Sequence, residues 1–192
     1  MNYENSVTVS GLLHHLGRKK DDKHFAFSIR HENTFNGSER KDFLNARAFV
    51  PEVQEKLKSL EENTPVRIKG SLRTSTGSGE LYLAASEAEV LEKLELENSV
   101  KLSGYVHQVK AQAEGETGSG RYTRFAVRQE NLDSQGHSKR DFIVVRVYDD
   151  DENENSAGIL SGKNDGDAVE VEGTLRSSKG SGINYVRAVA VK

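Results

Sequence analysis

Two stretches of the chain set an arginine between aromatic residues at alternate positions: Phe43, Asn45, Arg47 and Phe49 in one, Phe142, Val144, Arg146 and Tyr148 in the other. In an extended strand, alternate side chains share a face, so each stretch displays aromatic, spacer, arginine, aromatic in one row. Leu44, Ala46 and Ala48, and Ile143, Val145 and Val147, fill the opposite, inward row. Rings interleaved with guanidinium groups suit a single-stranded nucleic acid. Bases stack on the rings for roughly 1–3 kcal/mol each, and arginines neutralise the phosphates. The preceding apolar stretch adds Arg30 in the first case and Tyr122, Arg124 and Arg128 in the second, while Arg73 and Arg176 open two later hairpins. Reading a duplex would need a helix or ribbon shaped for the groove, and the sequence offers none. An outward Phe also covers a barrel end or an oligomer interface, and arginine is ordinary on an exposed strand. The recurrence of the whole row favours a shared ligand over these readings.

The elements that position the two rows come from an internal repeat. Asn5-Ser6-Val7-Thr8-Val9-Ser10-Gly11 returns as Asn98-Ser99-Val100-Lys101-Leu102-Ser103-Gly104, and Phe27-Ser28-Ile29-Arg30 as Phe125-Ala126-Val127-Arg128. Gly70-Ser71-Leu72-Arg73 likewise returns as Gly173-Thr174-Leu175-Arg176. Two units of one fold follow, with residues 1–92 as the first, 93–97 as a linker and 98–192 as the second. In the first unit, apolar alternation marks five strands, around Val7 and Val9, Phe25 to Ile29, Leu44 to Ala48, Val66 and Ile68, and Leu81 and Leu83. Between the third and fourth, Pro51 to Leu60 places Val53, Leu57 and Leu60 on one helical face, with proline suited to the first helical position. The matching stretch of the second unit, 149–158, is acidic and polar, so its helix is expected to be short or absent. Gly11 and Gly104 end the first strands where a barrel needs a bend. The Ser/Thr/Gly runs at 74–79 and 177–182 are expected to be hairpin tips. Strands with a helix between the third and fourth give an all-β chain of two tandem OB-folds, five-stranded Greek-key barrels.

Composition narrows the alternatives. The 192 residues are 34% hydrophobic and 30% charged, with no Trp and no Cys, so lean cores and no disulfide or thiolate metal site are expected. No signal peptide or membrane-length apolar run is visible, which points to a cytoplasmic protein. A net charge of -3 argues against coating of duplex DNA by bulk charge.

The same blocks resemble bacterial single-stranded DNA-binding proteins. Asn5 to Leu12, Phe25 to Ile29, Asp42 to Phe49 and Val66 to Arg73 look like successive strands of that family, and Val169 to Arg176 repeats the last of them. The resemblance implies base stacking by an aromatic at the start of the third strand, matched by Phe43 and Phe142, and by another near its end, matched by Phe49 and Tyr148. It implies single-stranded DNA as partner, with RNA as the other ligand class, and roles in replication, recombination or DNA transfer. Family members more often carry one OB-fold and assemble four, so two chains are expected to form a homodimer with four. The family's usual tryptophans are absent, and no acidic, Phe-ended extension follows Lys192.

Other signals carry less chemistry. His14, His15, His24 and His31 are read as loop and strand-surface residues, not as a metal cluster. Gly77 to Gly79 and Gly115 to Gly120 are read as flexible loops, because neither opens a helix nor carries a P-loop Lys-Ser/Thr. No catalytic constellation and no cofactor site stand out. The acidic run at 149–154 keeps a second reading open, in which the tandem OB-folds are a protein-interaction or dimerisation module accessory to replication or a mobile element.

Overall fold

The computed structural model describes residues 3–14, 23–35, 38–107, 113–117, 120–132, 136–149 and 158–192. Its first repeat runs β1 (Asn5–His14), β2 (Phe25–Phe35), β3 (Ser38–Ala48), α1 (Pro51–Lys58), β4 (Pro65–Thr74) and β5 (Leu81–Val90). Its second runs β6 (Asn98–His107), β7 (Ala113–Thr117), β8 (Gly120–Leu132), β9 (Ser138–Tyr148), β10 (Ala168–Ser177) and β11 (Asn184–Val191).

The first repeat closes on itself. Strand β1 pairs antiparallel with both β2 and β4, β4 with β5, β2 with β3, and β3 returns to β5 in a short parallel contact. This closed order is that of an OB-fold. Alternation delivers Val9, Phe27, Ile29, Leu44, Ile68, Leu72 and Leu83 to the interior with no exposed surface. Each such side chain contributes roughly 1.5–3 kcal/mol by leaving water. Pro51 stands at the start of α1, and Val53 and Leu57 are buried by the helix. Gln54 Nε2 donates to the Phe49 carbonyl at 3.1 Å, tying the helix to the chain just beyond β3.

The second repeat repeats the order: β6 pairs with β8 and β10, β10 with β11, β11 in parallel with β9, and β9 with β8. It differs by β7, which pairs with β8 through Gly115 opposite Tyr122. The segment read from its glycines as a flexible loop thus contributes a hairpin strand. The expected reduction of the helix falls on residues 150–157, outside the described residues, as does all of the acidic run except Asp149.

Gly11 lies where β1 passes from β4 to β2. A Cβ there would come within 2.5 Å of the Arg30 carbonyl oxygen, and one at Gly104 within 2.6 Å of that of Arg128. Both positions therefore require glycine for close backbone approach.

The chain divides into two compact units. One comprises Ser6–Ser99 with Leu175–Asn184, the other Met1–Asn5 with Val100–Thr174 and Tyr185–Lys192. Within the first unit, β3 pairs with β5 only from Ala46 to Ala48, which leaves backbone groups nearer its start to be satisfied otherwise. The Phe43 amide donates to Ser177 Oγ at 3.2 Å, the Asn45 amide to Asn184 Oδ1 at 3.1 Å, and Asn184 Nδ2 to the Asn45 carbonyl at 2.9 Å. Beside them, Asp42 is 1% exposed. Its Oδ1 accepts from the Ser177 amide at 3.0 Å and Arg40 Nη2 at 3.2 Å, and Arg176 Nε lies 3.3 Å from Oδ2. The linker is also bonded within this unit. Ser10 N–H donates to the Glu97 carbonyl at 2.8 Å, and Arg67 donates to Glu97 and Glu89 at 2.9 Å each. The hydrogen bond with Glu89, reinforced by Glu97, raises the Arg67 pKa above its ordinary value.

Candidate nucleic-acid interface

Strand β3 holds Phe43 outward at 43% exposure, Phe49 just beyond its end is 45% exposed, and Asn45 and Arg47 are half-buried between them. Each of the three aromatic or cationic groups has a partner, and the second barrel repeats the pairing. Phe43 meets the His14 ring edge-on at 5.7 Å, and Phe142 meets the His107 ring at 4.6 Å. Phe49 packs on His24 at 5.4 Å, and Tyr148 on Tyr122 at 5.3 Å. The Arg47 guanidinium lies 4.2 Å over the Tyr82 ring, and that of Arg146 lies 4.1 Å over the Tyr185 ring. The arginine–tyrosine pairs join the parallel neighbours β3 and β5, and β9 and β11, whereas His14 and Phe43, and His107 and Phe142, meet across the strand, β2 or β8, that lies between theirs.

The chemistry of the row follows from these pairs. Arginine stacked on a ring keeps its flat, weakly hydrated guanidinium oriented, so less freedom is lost when it meets a phosphate. The exposed faces of Phe43 and Phe49 remain able to stack on bases. The two barrels differ in charge. In cross-strand register, Arg47 stands between Ala26 on β2 and Ala84 on β5, whereas Arg146 stands between Arg124 on β8 and Arg187 on β11. Three cationic side chains abreast are unfavourable without compensating negative charge.

The remaining candidates are distributed unevenly. Arg30 and Arg128 stand opposite Phe43 and Phe142 in their sheets; Arg30 pairs with Glu32 at 3.0 Å, and Arg128 lies 5.5 Å from the Tyr105 ring. Arg73 on β4 is half-buried opposite Tyr82 on β5, and Arg124 is exposed. Tyr148, expected outward like Phe49, is only 4% exposed because Arg187 lies 4.9 Å from its ring and Tyr122 covers it from β8. Arg176, expected on the face, is 6% exposed and is committed to Asp42 in the first compact unit. A buried carboxylate at this reach outcompetes solvent for the guanidinium.

Sequence reasoning missed Tyr82, Tyr185, His107 and Arg187, and set His14 and His24 aside as surface. Tyr82 sits between Leu81 and Leu83 in a fully apolar triplet, where alternation is blurred. The His14 and His107 positions recur at the ends of β1 and β6, a signal that comparison of the repeats carries. His31, by contrast, is buried and its Nδ1–H donates to the Ser10 carbonyl at 2.7 Å. No helix among the described residues is long and apolar enough to cross a membrane.

No protein-family model matches the chain, and no curated protein matches it. Solved structures do. The wild-type single-stranded DNA binding protein from Thermus aquaticus superposes with a TM-score of 0.73 at 17% identity, covering 100% of this chain and 93% of that one. A deletion mutant of the same Thermus protein gives a TM-score of 0.71 at 18% identity over 99% of this chain and 94% of that one. The likeness spans both repeats and shows a shared fold of the OB type.

Proposed function

We propose that this chain binds single-stranded DNA with little sequence preference, through aromatic stacking and arginine–phosphate contacts, in replication, recombination or DNA transfer. The observation that carries this reading is the recurrence of three side-chain pairs at equivalent positions of both repeats: His14 with Phe43, Phe49 with His24 and Arg47 with Tyr82, answered by His107 with Phe142, Tyr148 with Tyr122 and Arg146 with Tyr185. Core packing alone would not preserve a row whose phenylalanines Phe43 and Phe49 stay near half exposed. The Thermus aquaticus protein that shares the fold is a single-stranded DNA binding protein, which supports the same ligand class. The contact set is Phe43, Arg47, Phe49, Tyr122, Arg124, Arg128, Phe142, Arg146 and Tyr148, with Arg30 and Arg73 at its margin. Two chains assembling four barrels would extend the path along the strand.

The test is a titration with fluorescent oligo-dT of about 35 nucleotides, enough for two OB-folds, with duplex of equal length as competitor. Tight binding that weakens with salt and resists the duplex is expected. Failure to bind at low salt would shift the reading to a protein-interaction module.

A further inference from the structure

The two histidines at the ends of β1 and β6 share more than their aromatic neighbours. His14 Nδ1 lies 3.0 Å from Glu62 Oε2, and His107 Nδ1 lies 3.6 Å from Asp165 Oδ1. Each acid comes from the segment just before the fourth strand of its barrel, so aromatic, imidazole and carboxylate recur as a set. A carboxylate only accepts, so the neutral His14 imidazole, hydrogen-bonded to Glu62, carries its proton on Nδ1 and leaves Nε2 as an acceptor, while Asp165 stands within ion-pair reach of His107 Nδ1. Protonation converts Nε2 into a donor. The ring beside Phe43 or Phe142 then offers a cationic N–H to an anion, while the neutral ring offers it a lone pair.

We propose that His14 and His107 are nucleic-acid contacts, engaging a backbone phosphate through Nε2 when protonated, next to the base stacked on Phe43 or Phe142. The inference rests on the single-strand binding proposed above. The side chains are accessible enough for this, His14 at 46% exposure and His107 at 26%. The charged groups around them define the electrostatics. Glu62 faces His14, and Arg30 stands along β2 opposite Leu12, two residues from the Ser28 that opposes His14; Asp165 faces His107, and Arg128 stands along β8 opposite Tyr105. Glu62 fixes the His14 tautomer, Asp165 places a negative charge beside His107, and the arginines favour the phosphate's approach.

The sign follows from linkage. A bound phosphate favours the imidazolium form, so this share of the affinity is present at the lower pH and is lost as the rings give up their protons at the higher pH. His24, whose counterpart is Tyr122, serves as an internal control because it stays in the variants.

The experiment is oligo-dT binding by the full chain at about pH 6 and about pH 8, for the natural sequence and for the double variant His14→Gln/His107→Gln. A phosphate contact at one protonated ring is expected to give up to about tenfold tighter binding at the lower pH. The double variant is expected to lose most of that difference and to keep the salt dependence measured at the higher pH. Histidine ring NMR signals of the natural chain provide a check independent of variant folding: on addition of oligo-dT at about pH 7, those of His14 and His107 move towards imidazolium. Binding that is equally tight at both pH values, a double variant that keeps the full difference, or histidine signals that stay in place would each overturn the inference while leaving single-strand binding standing. No binding at either pH would overturn both.

Discussion

Arg146 on β9 stands directly opposite Arg187 on β11, in the register where the first barrel sets Arg47 opposite Ala84. With Arg124 on its other side, Arg146 is the centre of a three-arginine row that the first barrel lacks. The second barrel is therefore expected to carry the larger electrostatic share of binding. Each phosphate contact on a single strand contributes about 0.7 to the slope of log affinity against log salt. Arg124→Ala and Arg187→Ala should each lower that slope by about 0.7, as should Arg47→Ala and Arg146→Ala. Slopes unchanged in all four variants would remove the arginines from the phosphate path.

Stacking makes a different prediction, because it is insensitive to salt. Phe43→Ala and Phe142→Ala should each weaken oligo-dT binding by roughly 1–3 kcal/mol with the salt slope retained. Phe49→Ala is expected to cost more than Tyr148→Ala, since Phe49 is 45% exposed and Tyr148 only 4%. Equal losses at these two positions would mean that Arg187 and Tyr122 move aside when the ligand binds. Fluorescence anisotropy at two salt concentrations separates stacking from charge.

Asp42 makes a prediction about stability. It is buried against Arg40 and Arg176, so Asp42→Ala would leave two guanidinium groups without their carboxylate. Removing one partner from a buried ion pair typically costs about 3–5 kcal/mol. Urea denaturation should show the midpoint falling by the corresponding amount. A midpoint within error of the natural chain would mean that water replaces the carboxylate at no cost.

Gly11→Ala and Gly104→Ala test the bend in the first strand of each barrel. The added methyl would meet the Arg30 or Arg128 carbonyl oxygen well inside contact distance. Relief requires a backbone shift, and a cost of about 1–3 kcal/mol is expected by thermal or urea unfolding.

The tandem barrels were legible because the repeat and the two-residue alternation are local signals. The outward row of β3 could be read for the same reason: Phe43, Arg47 and Phe49 alternate with small or apolar residues. What supports that row was less legible. Tyr82 reaches Arg47 through the parallel β3–β5 contact, which no local pattern encodes. Arg176 lies in the same sequence context as Arg73, yet its environment is set by Asp42, far earlier in the chain. Tyr148 matches Phe49 by position, but Arg187, where the first repeat has Ala84, covers it. His14 and His107 took on meaning only when Glu62 and Asp165 were found beside them.

The most direct test of the central claim is photo-cross-linking of an oligonucleotide carrying 5-iodouracil, with the attached residues located by mass spectrometry. Binding through the outward rows of both barrels predicts cross-links at Phe43 and Phe49 and at Phe142 and Tyr122. Cross-links confined to other surfaces, or none under conditions where the oligonucleotide is bound, would contradict it.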